Sequence, residues 1–437
     1  MHQIQSTVRT LQLMTIFVFL VNIGFAQSSI KVIKAGGFID TENGIVLDSR
    51  MILIENDTIK EISKHLRIPD KAEIIDLSNA MVLPGLIDCH THITGQSDDN
   101  YYEGFRKSIV DYAILAPSFA KNTLEAGFTC VRDVGSRNFL DVALKNAINS
   151  NKIPGPRMQT ATYYISSTGG HGDFTGFSPM LDTKEPKEMS GIANGVDEVR
   201  QKVRYLVKYG ADVIKFGAGA GVLSEEESVG APQYTQEEMN TIVAEAKMWG
   251  KKTCAHAHGT EAIKMAIMAG VASVEHGSFI DDEGIALMLK NGTYLVADIY
   301  NDDYILAEFG KLGYPQKIID KEKAVGLKQR QNFQKAVKAG VKIAYGTDAG
   351  IFPHGWNGKQ FIHMVKWGMT PMQAIQSSTI NAADLLGWKT KVGSIAVGKY
   401  ADIIAVVGNP IDEIKLLENV QFVMKGGQVF KNSIKNK

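Results

Sequence analysis

Residues 80–93 form an apolar run that closes on two histidines, His90 and His92. Alternate residues of a β-strand face one side. Both imidazoles therefore address one point at the strand's end, as half of a metal chelate. Other residues of ligand type close apolar runs further on: Lys215 in Asp212-Val-Ile-Lys-Phe-Gly, His256 in 252–258, His276 in Ser273-Val-Glu-His-Gly and Asp348 in 343–350. A single catalytic zinc needs only three protein ligands. Four histidines, a lysine and an aspartate converging on one place suit two divalent ions, zinc or another transition metal. A lysine ammonium beside such ions is repelled and poorly solvated. A buried, neutral Lys215 can instead take up carbon dioxide as a carbamate, an anion able to bridge two metals. His258 lies beyond the end of the strand read at 252–256 and is read as a supporting residue.

The elements must bring these residues together. Eight candidate strands lie at 86–93, 128–134, 157–165, 212–217, 252–256, 273–276, 293–298 and 342–346. Amphipathic segments separate them. One follows Thr235, whose capping-box partner is Glu238, and stops near Gly250. Eight strand–helix units across 87–388 predict an α/β fold, a (β/α)8 TIM barrel rather than an open doubly wound sheet. In such barrels the reactive residues line the carboxyl ends of the strands, where all six fall. The stretches 27–86 and 389–437 are short β-like runs with Gly turns. Neither makes a sheet alone, and together they predict a small β-sandwich built from both chain ends.

Residues 1–26 read as a signal peptide. Arg9 precedes an apolar stretch, 11–25, interrupted by Gln12, Thr15 and Asn22, and Gly24 and Ala26 are small residues before a cut at Gln27. The stretch is too short to span a bilayer. The expectation is an exported protein, periplasmic or secreted, without a membrane anchor after cleavage. The 47 basic and 47 acidic residues balance, which argues against nucleic acid as a partner. Cys89, Cys130 and Cys254 sit in apolar runs and read as small core residues rather than disulfide halves. A monomer and a homo-oligomer both stay open.

The ordered set His90-Thr-His92, Lys215, His256, His276 and Asp348 resembles the metal pattern of the amidohydrolase superfamily. Pro84-Gly-Leu-Ile-Asp-Cys-His-Thr-His, His256-Ala-His-Gly, Glu275-His-Gly and Gly346-Thr-Asp-Ala-Gly are similar to its imidazolonepropionase-like and metal-dependent Xaa-Pro dipeptidase (prolidase-like) branch. The likeness covers nearly all of the mature chain. It implies that His90, His92 and Asp348 bind the more buried metal, that His256 and His276 bind the second, and that carboxylated Lys215 bridges them. It implies hydrolysis of an amide by a metal-bridging hydroxide, with Asp348 moving the proton.

The expected substrate is a dipeptide, Xaa-Pro or related. The alternatives are a cyclic amide or lactone, a dipeptide with C-terminal Arg or Lys, and, outside catalysis, a binding protein on a barrel scaffold. His171, in a Gly-rich segment after the third strand, is a candidate to bond the substrate carbonyl or the tetrahedral intermediate, or else a loop histidine in water. Tyr234 is a candidate for a substrate carboxylate, or else packs beside a helix start. Asp302 and Asp303 either receive a cationic side chain or are surface charges.

Overall fold

The computed structural model describes residues 29–435 apart from 98–99, 174, 177, 179, 181–189 and 227. The expected signal peptide, 1–26, lies outside the described residues.

The chain opens with four strands, all but the third of them long: β1 (Ile30–Asp40), β2 (Ile45–Glu55), β3 (Thr58–Ser63) and β4 (Glu73–Pro84). Seven shorter ones follow: β5 (Leu86–Thr91), β6 (Phe128–Asp133), β7 (Arg157–Thr160), β8 (Val213–Gly217), β9 (Lys252–Ala257), β10 (Ser273–His276) and β11 (Tyr294–Val296). The last three, β12 (Ile403–Val406), β13 (Phe422–Lys425) and β14 (Gln428–Asn432), return to the first group. There the order is β14-β13-β12-β4-β1-β2-β3. Both chain ends meet where β12 runs antiparallel to β4, with Ala405 opposite Val82.

The expected β domain is present, but its strands are hydrogen-bonded as one sheet that curls around its own core instead of two facing sheets. The far edge comes back to the segment before β12, where Ile59 N–H donates to Lys399 O (2.9 Å) and Ala401 N–H to Asp57 O (2.7 Å). Ile33, Ile52, Ile59, Val82, Ile403 and Phe422 share the enclosed core. A bulge between Ala35 and Gly37 helps β1 to bend.

Strands β5-β6-β7 and β8-β9-β10-β11 are two parallel groups that close into the barrel. On one seam Ile165 bridges Phe216. On the other, the predicted eighth strand is an extended segment without a continuous ladder. Its Ile343 bridges Leu295, while Tyr345 O accepts from Cys89 N–H (2.8 Å). The predicted third strand is shorter than expected, because Thr162 takes a φ of 65° and breaks the extended run before Ile165 rejoins it. Strands β5, β6 and β8 are buried at every residue, as strands sandwiched between a barrel interior and covering helices must be. The helix Gln236–Met248 starts on the predicted Thr235–Glu238 capping box. Cys89, Cys130 and Cys254 are free and buried. Among the described residues no helix is long and apolar enough to cross a membrane.

Candidate metal centre

The end of β5 places His90 and His92 with ring centroids 5.6 Å apart. The eighth segment brings Asp348 between them: its Oδ1 is 3.4 Å from His90 Nε2 and 3.2 Å from His92 Nε2. That oxygen is buried and has no hydrogen-bond partner. Two ligands about 2.1 Å from one tetrahedral ion stand about 3.4 Å apart, so these atoms are spaced to share an ion. From the ends of β9 and β10, His256 and His276 bring their rings within 4.6 Å of each other, and His276 lies 5.0 Å from His90. His256 Nε2 is likewise buried without a partner. His90, His276 and Asp348 form one group whose donor atoms lie within 4.8 Å of one another, and His256, His258 and His276 form another. Orphaned buried donors of this kind fit divalent metal ions.

Backbone and neighbours aim the donors inward. His276 and Asp348 take φ values of 68° and 57°, a left-handed conformation that costs a residue with a Cβ and recurs at functional sites. Three rings are tied at Nδ1. His90 donates to Glu275 Oε2 (2.9 Å), His92 to Gly135 O (3.0 Å) and His276 to Asp298 Oδ1 (2.9 Å). Carboxylates and carbonyls only accept, so these bonds fix the tautomer that leaves each Nε2 lone pair free for a metal. Glu275 is itself held by Arg132 Nη2 (2.9 Å) and the Ser273 hydroxyl (2.5 Å), all buried. Beneath them Asp88 accepts from Thr347 Oγ1 (2.5 Å), Asn357 Nδ2 (2.8 Å) and His90 N–H (3.1 Å). Burial pushes Asp88 up to about 6 against those bonds.

Burial holds His90 and His256 well below the usual imidazole range, which keeps them in the neutral, metal-binding form. His92 goes up, because the Asp348 carboxylate outweighs the lowering effect of burial. Asp348 goes down: burial would raise it, and His90 and His92 overcome that. Lys215, on β8, is 1 % exposed. Burial lowers its pKa, and it has no ion-pair partner among the described residues. Burial of this kind shifts the balance toward the neutral amine.

The six residues singled out by their strand-end positions therefore reach one barrel mouth. His171 joins them: its ring stacks on His256 at 4.2 Å and 17°, and its Nδ1 is 2.6 Å from Ser224 Oγ. It is not a loop histidine in water. His258 is closer to the centre than its position beyond the strand suggested, stacked on His276 at 4.7 Å and 13° with Nδ1 2.7 Å from Ser278 Oγ.

Two expectations need correction. Tyr234 is 4 % exposed in the core and donates its hydroxyl to Ala193 O (2.8 Å), so it has no hydroxyl to offer a substrate carboxylate. Asp302 is buried and Asp303 is exposed, and Arg330 pairs with both at 3.1 and 2.9 Å, so they form no open cation pocket, while Asp303 is the surface charge that the second reading expected. Glu275, Asp298 and Arg132 were not picked out from the sequence. The available signal was the pair of carboxylates at the ends of the sixth and seventh predicted strands.

Residues 81–430 match the sequence profile of the amidohydrolase family. The chain belongs to the amidohydrolase family. This amidohydrolase is 33% identical over 428 residues to ochratoxinase from Aspergillus niger, covering 93% of its own length and 87% of the relative's. It superposes with a TM-score of 0.88 and 42% identity on the crystal structure of a Xaa-Pro dipeptidase with methionine bound in the active site, over 92% of this chain and 100% of that one. A prolidase complexed with N-methylphosphonate-L-proline gives a TM-score of 0.86 at 29% identity, over 93% and 100% of the two chains. The amidohydrolase is thus a hydrolase acting on carbon–nitrogen bonds, with a TIM barrel beside a separate sheet domain. Members of its superfamily generally bind divalent metals, and the histidine clusters are compatible with that.

Proposed function

We propose that this amidohydrolase is an exported two-metal dipeptidase that cleaves Xaa-Pro or related dipeptides. The observation that carries the reading is the orphaned, buried Asp348 Oδ1 facing the Nε2 atoms of His90 and His92. The full-length likeness to a Xaa-Pro dipeptidase supports the substrate class, and the leader-like residues 1–26 support export. In this reading 27–86 and 389–437 make the β domain and 87–388 the catalytic barrel.

His90, His92 and Asp348 would hold one ion and His256 and His276 the other, with Lys215 between them as a carbamate. To form it, neutral Nζ bonds the carbon of carbon dioxide and gives up one proton, leaving an anion. Two divalent ions, zinc for preference, would polarise the scissile carbonyl and make the attacking water acidic near neutral pH. Asp348 would accept the water's proton and pass it to the leaving nitrogen. The depressed pKa of Asp348 keeps it ionised for the first of these transfers. Burial keeps His171 neutral, and from its place over His256 it would hydrogen-bond the substrate carbonyl as charge develops there.

A dipeptide library tested on zinc-reconstituted protein supplied with bicarbonate checks this. Cleavage of Xaa-Pro dipeptides, abolished by a chelator and restored by zinc, is the expected result. Inert dipeptides alongside turnover of a cyclic amide or lactone would overturn the substrate assignment. A zinc-free protein whose activity is indifferent to chelation would overturn the metal assignment.

A further inference from the structure

We propose that Asn301 is a positioning residue that ties the Asp348 carboxylate to that of Asp298 through one amide group, and so couples the two halves of the centre. The inference rests on the two-metal reading above and deepens it.

Asn301 begins the short helix Asn301–Tyr304 after β11, where its backbone N–H donates to Asp298 O (3.0 Å). It is 4 % exposed. Its Nδ2 donates to Asp298 Oδ2 at 2.7 Å and to Asp348 Oδ2 at 3.3 Å. The amide has two N–H groups, one for each oxygen. Its orientation follows from the acceptors, because a flipped amide would set Oδ1 against two carboxylates.

Each carboxylate is divided by this contact. Asp348 gives Oδ2 to Asn301 and leaves Oδ1 facing His90 and His92. Asp298 gives Oδ2 to Asn301 and receives His276 Nδ1 (2.9 Å) and Gln329 Nε2 (2.8 Å) at Oδ1. One side chain thus stands between the carboxylate that faces the His90–His92 pair and the carboxylate that orients His276. Without its donors, two buried anions would face each other with nothing between them. The other end of the amide, Asn301 Oδ1, is buried and unpartnered. Both contacts with the carboxylates use the donor end of the side chain.

The test compares full-length wild type with N301A, N301L and N301S. Zinc affinity of each apoprotein is read by competition with a chromogenic chelator. Melting temperature is recorded, and kcat and KM are measured on an amide the wild type cleaves. Leucine keeps the volume and removes both donors, whereas serine loses volume and keeps one. The expected result is zinc binding weakened about 10–100-fold in N301A and N301L, with kcat lower and KM nearly unchanged, and a smaller loss in N301S. Wild-type zinc affinity in N301L with a deficit in N301S would show that shape alone matters and overturn the proposal. So would three variants that all bind zinc as wild type does. A wild type that takes up no zinc would overturn the two-metal reading itself, and the clamp with it. If N301L does not fold, the order of N301A and N301S decides.

Discussion

Asp348 is held to one orientation by contacts on both carboxylate oxygens. Oδ2 accepts from Asn301, and Oδ1 stands 3.2 Å from His92 Nε2 and 3.4 Å from His90 Nε2. Its left-handed φ of 57° is tolerated because the fold on either side fixes it: its own N–H donates to His90 O (2.8 Å) and Thr347 is anchored on Asp88. If Asp348 moves the proton, replacing it with Asn keeps the shape and removes the base. Asp348→Asn should lower kcat by about 10²–10⁴-fold, while the four histidines retain most of the zinc by elemental analysis. Activity within a few-fold of wild type would remove Asp348 from the proton path.

The helix Gln316–Ala339 does more than cover the barrel. From it Gln329 reaches Asp298, Arg330 pairs with Asp302 and Asp303, and Lys321 donates to Gly221 O (2.9 Å) and Ser224 O (2.6 Å), in the loop that carries the partner of His171. The same helix buries Glu322, whose pKa burial pushes from an ordinary 4.5 up to about 8, with Asp302 and Asp298 adding to the rise. A carboxyl that binds its proton more tightly when folded stabilises the fold below its unfolded pKa and loses that contribution as pH rises through the folded one. Stability should therefore decline between about pH 4.5 and pH 8 through this group. In Glu322→Gln that part of the decline should vanish. Urea unfolding at pH 5 and pH 8 measures it, and equal pH slopes in variant and wild type would contradict the assignment.

Across the whole molecule, the β domain and the barrel are joined by more than the short link from β4 to β5. Arg157, at the start of β7, donates to both oxygens of Asp402 just before β12 (3.0 and 3.2 Å), and Asp402 also accepts from Gly426 N–H (2.7 Å). Gly85, between β4 and β5, packs so tightly that a Cβ there would lie 2.2 Å from Thr129 Oγ1 of β6. The sheet therefore braces the barrel near the amino ends of its strands, opposite the metal centre. Asp402→Ala should cost about 1.5–3 kcal/mol of stability, read as a lower urea midpoint, and leave KM unchanged because nothing at the mouth is touched. A change in KM at unaltered stability would mean that this joint communicates with the site.

Much of this arrangement was legible in the chain. Period-two side-chain alternation and the placement of polar residues at the ends of apolar runs are local properties, so His90, His92, Lys215, His256, His276 and Asp348 could be read from sequence, as could the positions of seven barrel strands, of the extended eighth segment, and the joining of both chain ends. What could not be read depends on cross-strand register and on side chains meeting across long separations. Glu275 meets His90 from a strand 185 residues away, Asn301 reaches Asp348 across 47, and His171 reaches Ser224 across 53. Which of its two readings Tyr234 follows depends on Ala193 O, which the sequence does not show to be waiting for its hydroxyl. The sequence by itself determined which residues could form a metal centre, because strand geometry is set by neighbours along the chain. Tertiary structure alone decided which nitrogen of each imidazole faces inward and which oxygen of Asp348 is left free, because those choices belong to hydrogen-bond partners that only folding brings within reach.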